Sequence, residues 1–220
     1  MHKGYVLNQS IEKHLQKYPL IDYATIKSLL TENGYKYIND KIKYMKQQGL
    51  LTSLKKGLYV YHSPYVKTLI SKEIIANNLL GPSYISYEYA LNYHGLTPER
   101  VEEVTSATTK RAKTFSTPYG IFSYRHIDKT LYALGVEIVS SKQGNFMMAS
   151  REKALCDKVF ATKGVKVVSK KSMQIFLEED LRVDMDELAN FDLGVVRQYA
   201  EISKSKRVEF LYKVLKDIVT

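Results

Sequence analysis

The 220-residue chain has a single cysteine, Cys156, so no disulfide can close within it and no multi-cysteine zinc site can form. Leu155, Val159 and Phe160 around it predict a small buried thiol on the inward face of a helix. The five histidines, His2, His14, His62, His94 and His126, are scattered without ligand spacing, which argues against a metal centre. No apolar run reaches the roughly 18 residues a membrane span needs, and the opening MHKGYVLNQS lacks the apolar core of a signal peptide. A cytoplasmic protein with no membrane partner is expected. Gly164 stands alone in ATKGVKVV rather than in a phosphate-cradling glycine motif, and no cofactor is expected. Asp128, Glu137 and Lys142, or Ser150 with His126, have no diagnostic catalytic spacing, so the chain reads as a non-enzyme, with a nuclease as the weakest alternative.

Arginine is missing from residues 1–65, which hold ten lysines and four acids for a formal charge of +6; the remaining 155 residues carry +4 of the total +10. The denser charge in the first segment suits a phosphate-binding module. Bidentate guanine recognition is most often an arginine task, so lysine and amide contacts must serve there.

What is present in that segment is a succession of helices and a hairpin. Ile11, Leu15 and Tyr18 mark a first helix closed by Pro19. Asp22 suits an N-cap, Ile21 and Ile26 stand at staple positions, and a second helix over about 23–32 ends at Glu32-Asn33-Gly34. A third helix follows at helix-turn-helix spacing, with Ile38, Ile42 and Met45 as its apolar stripe and Gly49 at its end. Its other side carries Lys36, Asp40, Lys43 and Gln47, flanked by Tyr37, Asn39 and Tyr44, a basic, amide-bearing and aromatic face able to enter a major groove. Leu50 to Leu54, a Lys55-Lys56-Gly57 turn and Leu58-Tyr59-Val60-Tyr61 then form a hairpin, with Lys55 and Lys56 placed to touch DNA phosphate. That order describes a winged helix-turn-helix.

The pattern changes after His62-Ser63-Pro64. The expected organisation is α+β, with residues 1–65 as the winged helix-turn-helix and residues 66–220 as a second domain of helices and a small mixed or antiparallel sheet. A helix over about 67–80 presents Leu69, Ile70, Ile74 and Leu80 and stops at Gly81-Pro82; another over Tyr87 to Tyr93 is capped by Ser86 and ended by Gly95. VEEVTSATT, GIFSYRHI, GVEIVSS and NFMMAS read as strands, and Ser150 caps a helix running to Ala161. Helices finish the chain.

The stretches YISYEYALNYHGLTPERVEEVTSATTKR, TTKRAKTFSTPYGIFSYRHI and NFMMASREKALCDKVF resemble the AbiEi family of antitoxins, over essentially residues 5–160. The resemblance implies a winged helix that represses its own operon at inverted repeats in double-stranded promoter DNA. It also implies a C-terminal antitoxin domain that counters an AbiEii-like nucleotidyltransferase toxin, in systems of abortive phage infection, without an obligatory stable complex. Lys110, Arg111, Arg125 and His126 occupy positions of the family motif and, with Lys113, would form a positive antitoxin patch. The residues alone leave open that Arg125 and His126 instead hold neighbouring strands together. The competing function classes are a protein-interaction module and a sequence-specific transcription factor without antitoxin activity.

Overall fold

The computed structural model describes residues 7–67 and 69–219, and the chain is α+β. Helix α1 (Gln9–Lys17) turns its Ile11 and Leu15 inward, while Tyr18, past its end, is about half exposed rather than on the apolar face. A three-residue strand not anticipated from the sequence, β1 (Leu20–Asp22), leads into α2 (Tyr23–Glu32). Asp22 caps α2 by accepting from the Thr25 amide at 2.7 Å. Gly34 takes a positive φ of 83° in the turn before α3 (Ile38–Gln47), a conformation glycine adopts without steric cost. Ile42 and Met45 of α3 are buried and Ile38 is partly so.

Strands β2 (Leu51–Lys55) and β3 (Leu58–Tyr61) form the expected hairpin, with β1 added on the far side of β3 to give the order β1-β3-β2. Side chains alternate across a strand, and β3 buries both faces. Tyr59 and Tyr61 join α1, α2 and α3 in a small apolar core, whereas Leu58 and Val60, with Leu54 of β2, belong to the large core formed by later residues. One face of the hairpin thus packs in the core built by later residues and the other in the core of the first three helices.

Helix α4 (Lys72–Leu79) is shorter than its sequence pattern implies. The Ser71 hydroxyl accepts from the Ile74 amide at 3.2 Å and fixes the start, leaving Ile70 outside and Leu69 exposed; position 68 of the expected helix lies outside the described residues. It buries Ile75, Ala76 and Leu79 fully, while Ile70, Ile74 and Leu80 of the expected apolar set pack on the core only partly buried. Strand β4 (Ser83–Ile85) then precedes α5 (Tyr87–Tyr93), and β5 (Val104–Thr108) precedes a hairpin of β6 (Lys113–Thr117) and β7 (Gly120–His126). After the short α6 (Lys129–Tyr132) come β8 (Val136–Ser141) and β9 (Gly144–Ala149).

These strands make one mixed sheet of order β6-β7-β5-β4-β9-β8. The pairs β5/β7 and β4/β9 are parallel and the rest antiparallel. Helix α7 (Arg151–Ala161) starts at Ser150 as its capping chemistry predicts, the hydroxyl accepting from the Lys153 amide at 3.2 Å. Helices α8 (Lys170–Ile175), α9 (Leu193–Ser203) and α10 (Lys206–Ile218) follow, and α9 and α10 pack on α7. Met173, Leu188, Val196 and Leu211 bury in the same large core as the sheet.

Candidate nucleic-acid interface and basic cleft

Helix α3 carries an exposed row and, beside it, a cleft. Asn39, Lys43 and Gln47 stand at i, i+4 and i+8 and are all exposed. Lys36, Tyr37, Asp40 and Tyr44 line a shallow cleft of about 650 Å³ beside them, in which the Lys41 ammonium lies 4.9 Å from the Tyr35 ring centre and 5.4 Å from that of Tyr44. Burial lowers the Lys41 pKa below the ordinary lysine value. Lys41 stands outside the set that the sequence pattern marks, Lys36, Asp40, Lys43 and Gln47 with the flanking Tyr37, Asn39 and Tyr44.

The hairpin tip is tied to this surface through Tyr23. The Tyr23 amide donates to the Gly57 carbonyl at 2.9 Å, and its hydroxyl donates to Asn39 Oδ1 at 2.8 Å. With its oxygen taken, the Asn39 amide presents its NH₂ donors outward. Lys56 is exposed at the tip, but Lys55 is not a free phosphate ligand. Its ammonium donates to the carbonyls of Leu79 at 2.6 Å and Asn78 at 3.3 Å, where the C-terminal carbonyls of α4 lack intrahelical partners. Burial, and then repulsion from Lys110 and Lys113, lower its pKa. Lys55 thus lies within electrostatic reach of Lys110 and Lys113 in the second half of the chain.

Lys110 and Arg111 lie in the connection after β5 and Lys113 begins β6; all three are exposed, and the Lys113 ammonium sits 4.7 Å above the Phe115 ring. Arg125 and His126 make scaffold contacts. An Arg125 guanidinium nitrogen donates to Glu88 Oε1 at 3.0 Å while its centre lies 4.7 Å from the Tyr87 ring, and His126 Nδ1 donates to the Lys110 carbonyl at 3.1 Å. Lys158 reaches the same Glu88 oxygen at 2.7 Å. Burial acts to raise the Glu88 pKa, but hydrogen bonds from Lys158 and the backbone, with the charges of Lys158 and Arg125, hold it below the usual carboxylate value.

Beneath this surface is a buried polar cluster centred on Asp157. Its Oδ2 accepts from Tyr84 at 2.9 Å and from Ser86 at 2.7 Å; its Oδ1 accepts from Tyr199 at 2.9 Å and faces the Lys153 ammonium at 2.9 Å. Lys153 and Asp157 side chains are fully buried, and Lys153 also donates to the Leu131 carbonyl at 2.8 Å. Burial, then the Asp157 charge, push the Tyr84 and Tyr199 phenols far above their ordinary pKa, so both remain donors. Ser86 thus bonds Asp157 rather than capping α5, and the next residue, Tyr87, is held at a φ of 58°. Burial, then Asp157, raise the Cys156 thiol well above its ordinary value; it is an enclosed core group, not a nucleophile.

Asp157, Tyr87 and Tyr199 form the floor of a cleft of about 640 Å³ whose walls carry Arg125 and His126 from β7, Phe160 from the last turn of α7, Lys163 from the segment after it, and Arg207 from α10. Phe160, expected to face inward, is 40% exposed, because Tyr199 occupies the space beneath it with the two rings edge to face at 5.9 Å. Phe160, Lys163 and Arg207 were not recognised as site residues, since no spacing links the end of one helix to the start of another 45 residues on.

Asp128 and Ser150, considered for catalysis from sequence, are helix caps: Asp128 accepts from the Thr130 amide at 2.8 Å. Among the described residues no group of three or more His, Cys, Asp or Glu side chains is placed to hold a metal ion, and no helix is long and apolar enough to cross a membrane. A scan against protein-family models found no match, and a search of curated proteins found none.

Proposed function

We propose that this chain is a DNA-binding antitoxin of the AbiEi type. On this reading the three N-terminal helices and the hairpin act as a winged helix-turn-helix that represses its own promoter, and the second half counters a nucleotidyltransferase-like toxin. The observation that carries the DNA-binding reading is the Gly57–Tyr23–Asn39 hydrogen-bonded link, which puts the hairpin tip and the exposed row of α3 on one surface. Lys36, Lys43 and Lys56 supply phosphate contacts there, and Asn39 and Gln47 supply donors for base edges. Tyr37, Asp40 and Tyr44 flank the helix and shape its approach to the groove. Lys55 acts indirectly, by fixing the hairpin to α4.

The antitoxin reading rests on the resemblance in the TTKR and FSYRHI stretches, and on the exposed Lys110, Arg111 and Lys113 beside Arg125 and His126. It is a binding role in the cytoplasm, with no catalytic step assigned to the chain. The test is separation of the two activities in cells that carry the neighbouring toxin gene. Lys36→Ala with Lys43→Ala should derepress the promoter yet still rescue growth when expression comes from a foreign promoter. Lys110→Ala with Arg111→Ala should retain repression and lose rescue. Rescue lost equally in both pairs at equal protein levels would refute the two-surface reading.

A further inference from the structure

The 640 Å³ cleft has a composition that DNA binding does not use. Its walls bring together Arg125, Lys163, Arg207 and His126, and its one acid, Asp157, is already neutralised by Lys153 and bonded by three hydroxyls. The cleft is therefore electropositive, with low-dielectric walls that strengthen its field.

Two of the cations are held in place before any ligand arrives. Arg125 is fixed by Glu88 on one side and the Tyr87 ring on the other. Arg207 donates one guanidinium nitrogen to the Thr162 carbonyl. Each retains further N–H groups, and a guanidinium fixed in this way recognises phosphate oxygens with little ordering cost. Helix α10 starts at the same cleft: its N-cap residue, Ser205, lines the wall and makes no side-chain capping bond, and Glu209 in the first turn offsets part of the helix-end field.

Phe160 supplies the other half of a ligand's chemistry. A phenylalanine 40% exposed in a basic cleft, with Tyr199 packed against it at 5.9 Å between ring centres, supplies aromatic surface for stacking. Stacking of a base on an aromatic ring is a general source of affinity in nucleic-acid-binding proteins. The volume is also in the range of about 300–1,000 Å³ usual for small-molecule sites and larger than a lone phosphate needs. At the floor, Tyr87 keeps a left-handed backbone, a conformation strained in a non-glycine residue and enriched at ligand sites.

We propose that this cleft binds a nucleoside phosphate, with the base stacked on Phe160 and the phosphates between Arg125, Lys163 and Arg207. The assignment goes beyond promoter binding and does not depend on it, because the cleft shares no residue with α3 or the hairpin tip.

The experiment is calorimetric titration of the full chain with ATP, GTP, CTP, inorganic tripolyphosphate and adenosine. Saturable binding of at least one nucleotide is expected, tighter than tripolyphosphate, with adenosine alone too weak to register. Lys163→Gln and Arg207→Gln should each weaken nucleotide and tripolyphosphate together by about tenfold, the loss of one charge-assisted contact. Phe160→Ala should weaken the nucleotide by about tenfold and leave tripolyphosphate unchanged. Lys43→Ala on α3 should change neither. Lys163 and Phe160 are surface side chains, so circular dichroism and thermal melting of those variants should match wild type and keep the test valid if Arg207→Gln does not fold. The proposal is overturned by wild-type protein that shows no saturable nucleotide binding at about 1 mM. It is also overturned by a Phe160→Ala variant with an unchanged ratio of nucleotide to tripolyphosphate affinity, or by equal losses in Lys43→Ala, which would mean diffuse charge attraction.

Discussion

Asp157→Ala should remove a large part of the folding free energy, and the arrangement around it sets the size of the loss. Lys153 is fully buried, and after the substitution its ammonium keeps the Leu131 carbonyl and the Tyr84 and Tyr199 rings, whose centres lie 5.4 and 4.6 Å away, but no opposite charge in the cluster. Breaking a buried ion pair by deleting one member costs about 3–5 kcal/mol, because the survivor remains charged and desolvated. Tyr84, Ser86 and Tyr199 each lose their carboxylate acceptor as well. Leaving one buried donor unsatisfied costs about 1–3 kcal/mol, although water entering the space left by the side chain offsets part of that, and neighbouring losses do not add. A net destabilisation of at least about 4 kcal/mol follows, against total stabilities of about 5–15 kcal/mol for natural domains. Lys153→Met should cost less, because Asp157 keeps its three hydroxyl donors. Equilibrium urea unfolding of both variants gives the comparison, read from midpoints at unchanged slope. An Asp157→Ala loss under about 1 kcal/mol, or a larger loss for Lys153→Met, would refute the assignment of Asp157 as the centre of the cluster.

The two hairpin lysines should separate. Lys55→Ala removes the cation on the α4 carbonyls and should lower stability by about 1 kcal/mol, whereas Lys56→Ala should leave the melting temperature unchanged and weaken promoter binding. Equal melting temperatures for the two variants would contradict the capping role. Glu88 sets an acid dependence: its folded pKa lies below the unfolded value, so its pairing with Arg125 and Lys158 contributes stability above the unfolded pKa and is lost as pH falls through the folded one. Wild type should thus lose more stability than Glu88→Gln on going from pH 6 to below about pH 4, and parallel curves for the two proteins would exclude that contribution.

How far the sequence could be read depended on how local each determinant is. The stripe of Ile42 and Met45, the glycines at 34, 49 and 57, and the Asp22 and Ser150 caps are short-range signals, and they located α2, α3, the hairpin and α7. Strands β5, β7, β8 and β9 were visible through their β-rich runs between turn residues. Strand β4 spans three residues, too few for alternation to register, and β6 is an edge strand whose exposed lysine, threonine and serine resemble loop chemistry. Ser71 ended the expected 67–80 helix early because a side-chain cap outweighed the apolar pattern before it. The use of Lys55 depends on α4, more than twenty residues away, and the cleft joins segments near 87, 125, 160 and 207. Such meetings are made by tertiary packing and leave no spacing to find.

The most direct test of the account is the salt dependence of binding to the protein's own promoter duplex, measured by fluorescence anisotropy. The wild-type log affinity should fall linearly with log salt, each neutralised phosphate contributing a slope of about −0.9. Lys43→Ala with Lys56→Ala should reduce that slope by about two units while the melting temperature stays at the wild-type value. A wild-type affinity indifferent to salt, or a slope unchanged in the double variant, would contradict the claim that α3 and the hairpin tip form the DNA-binding surface.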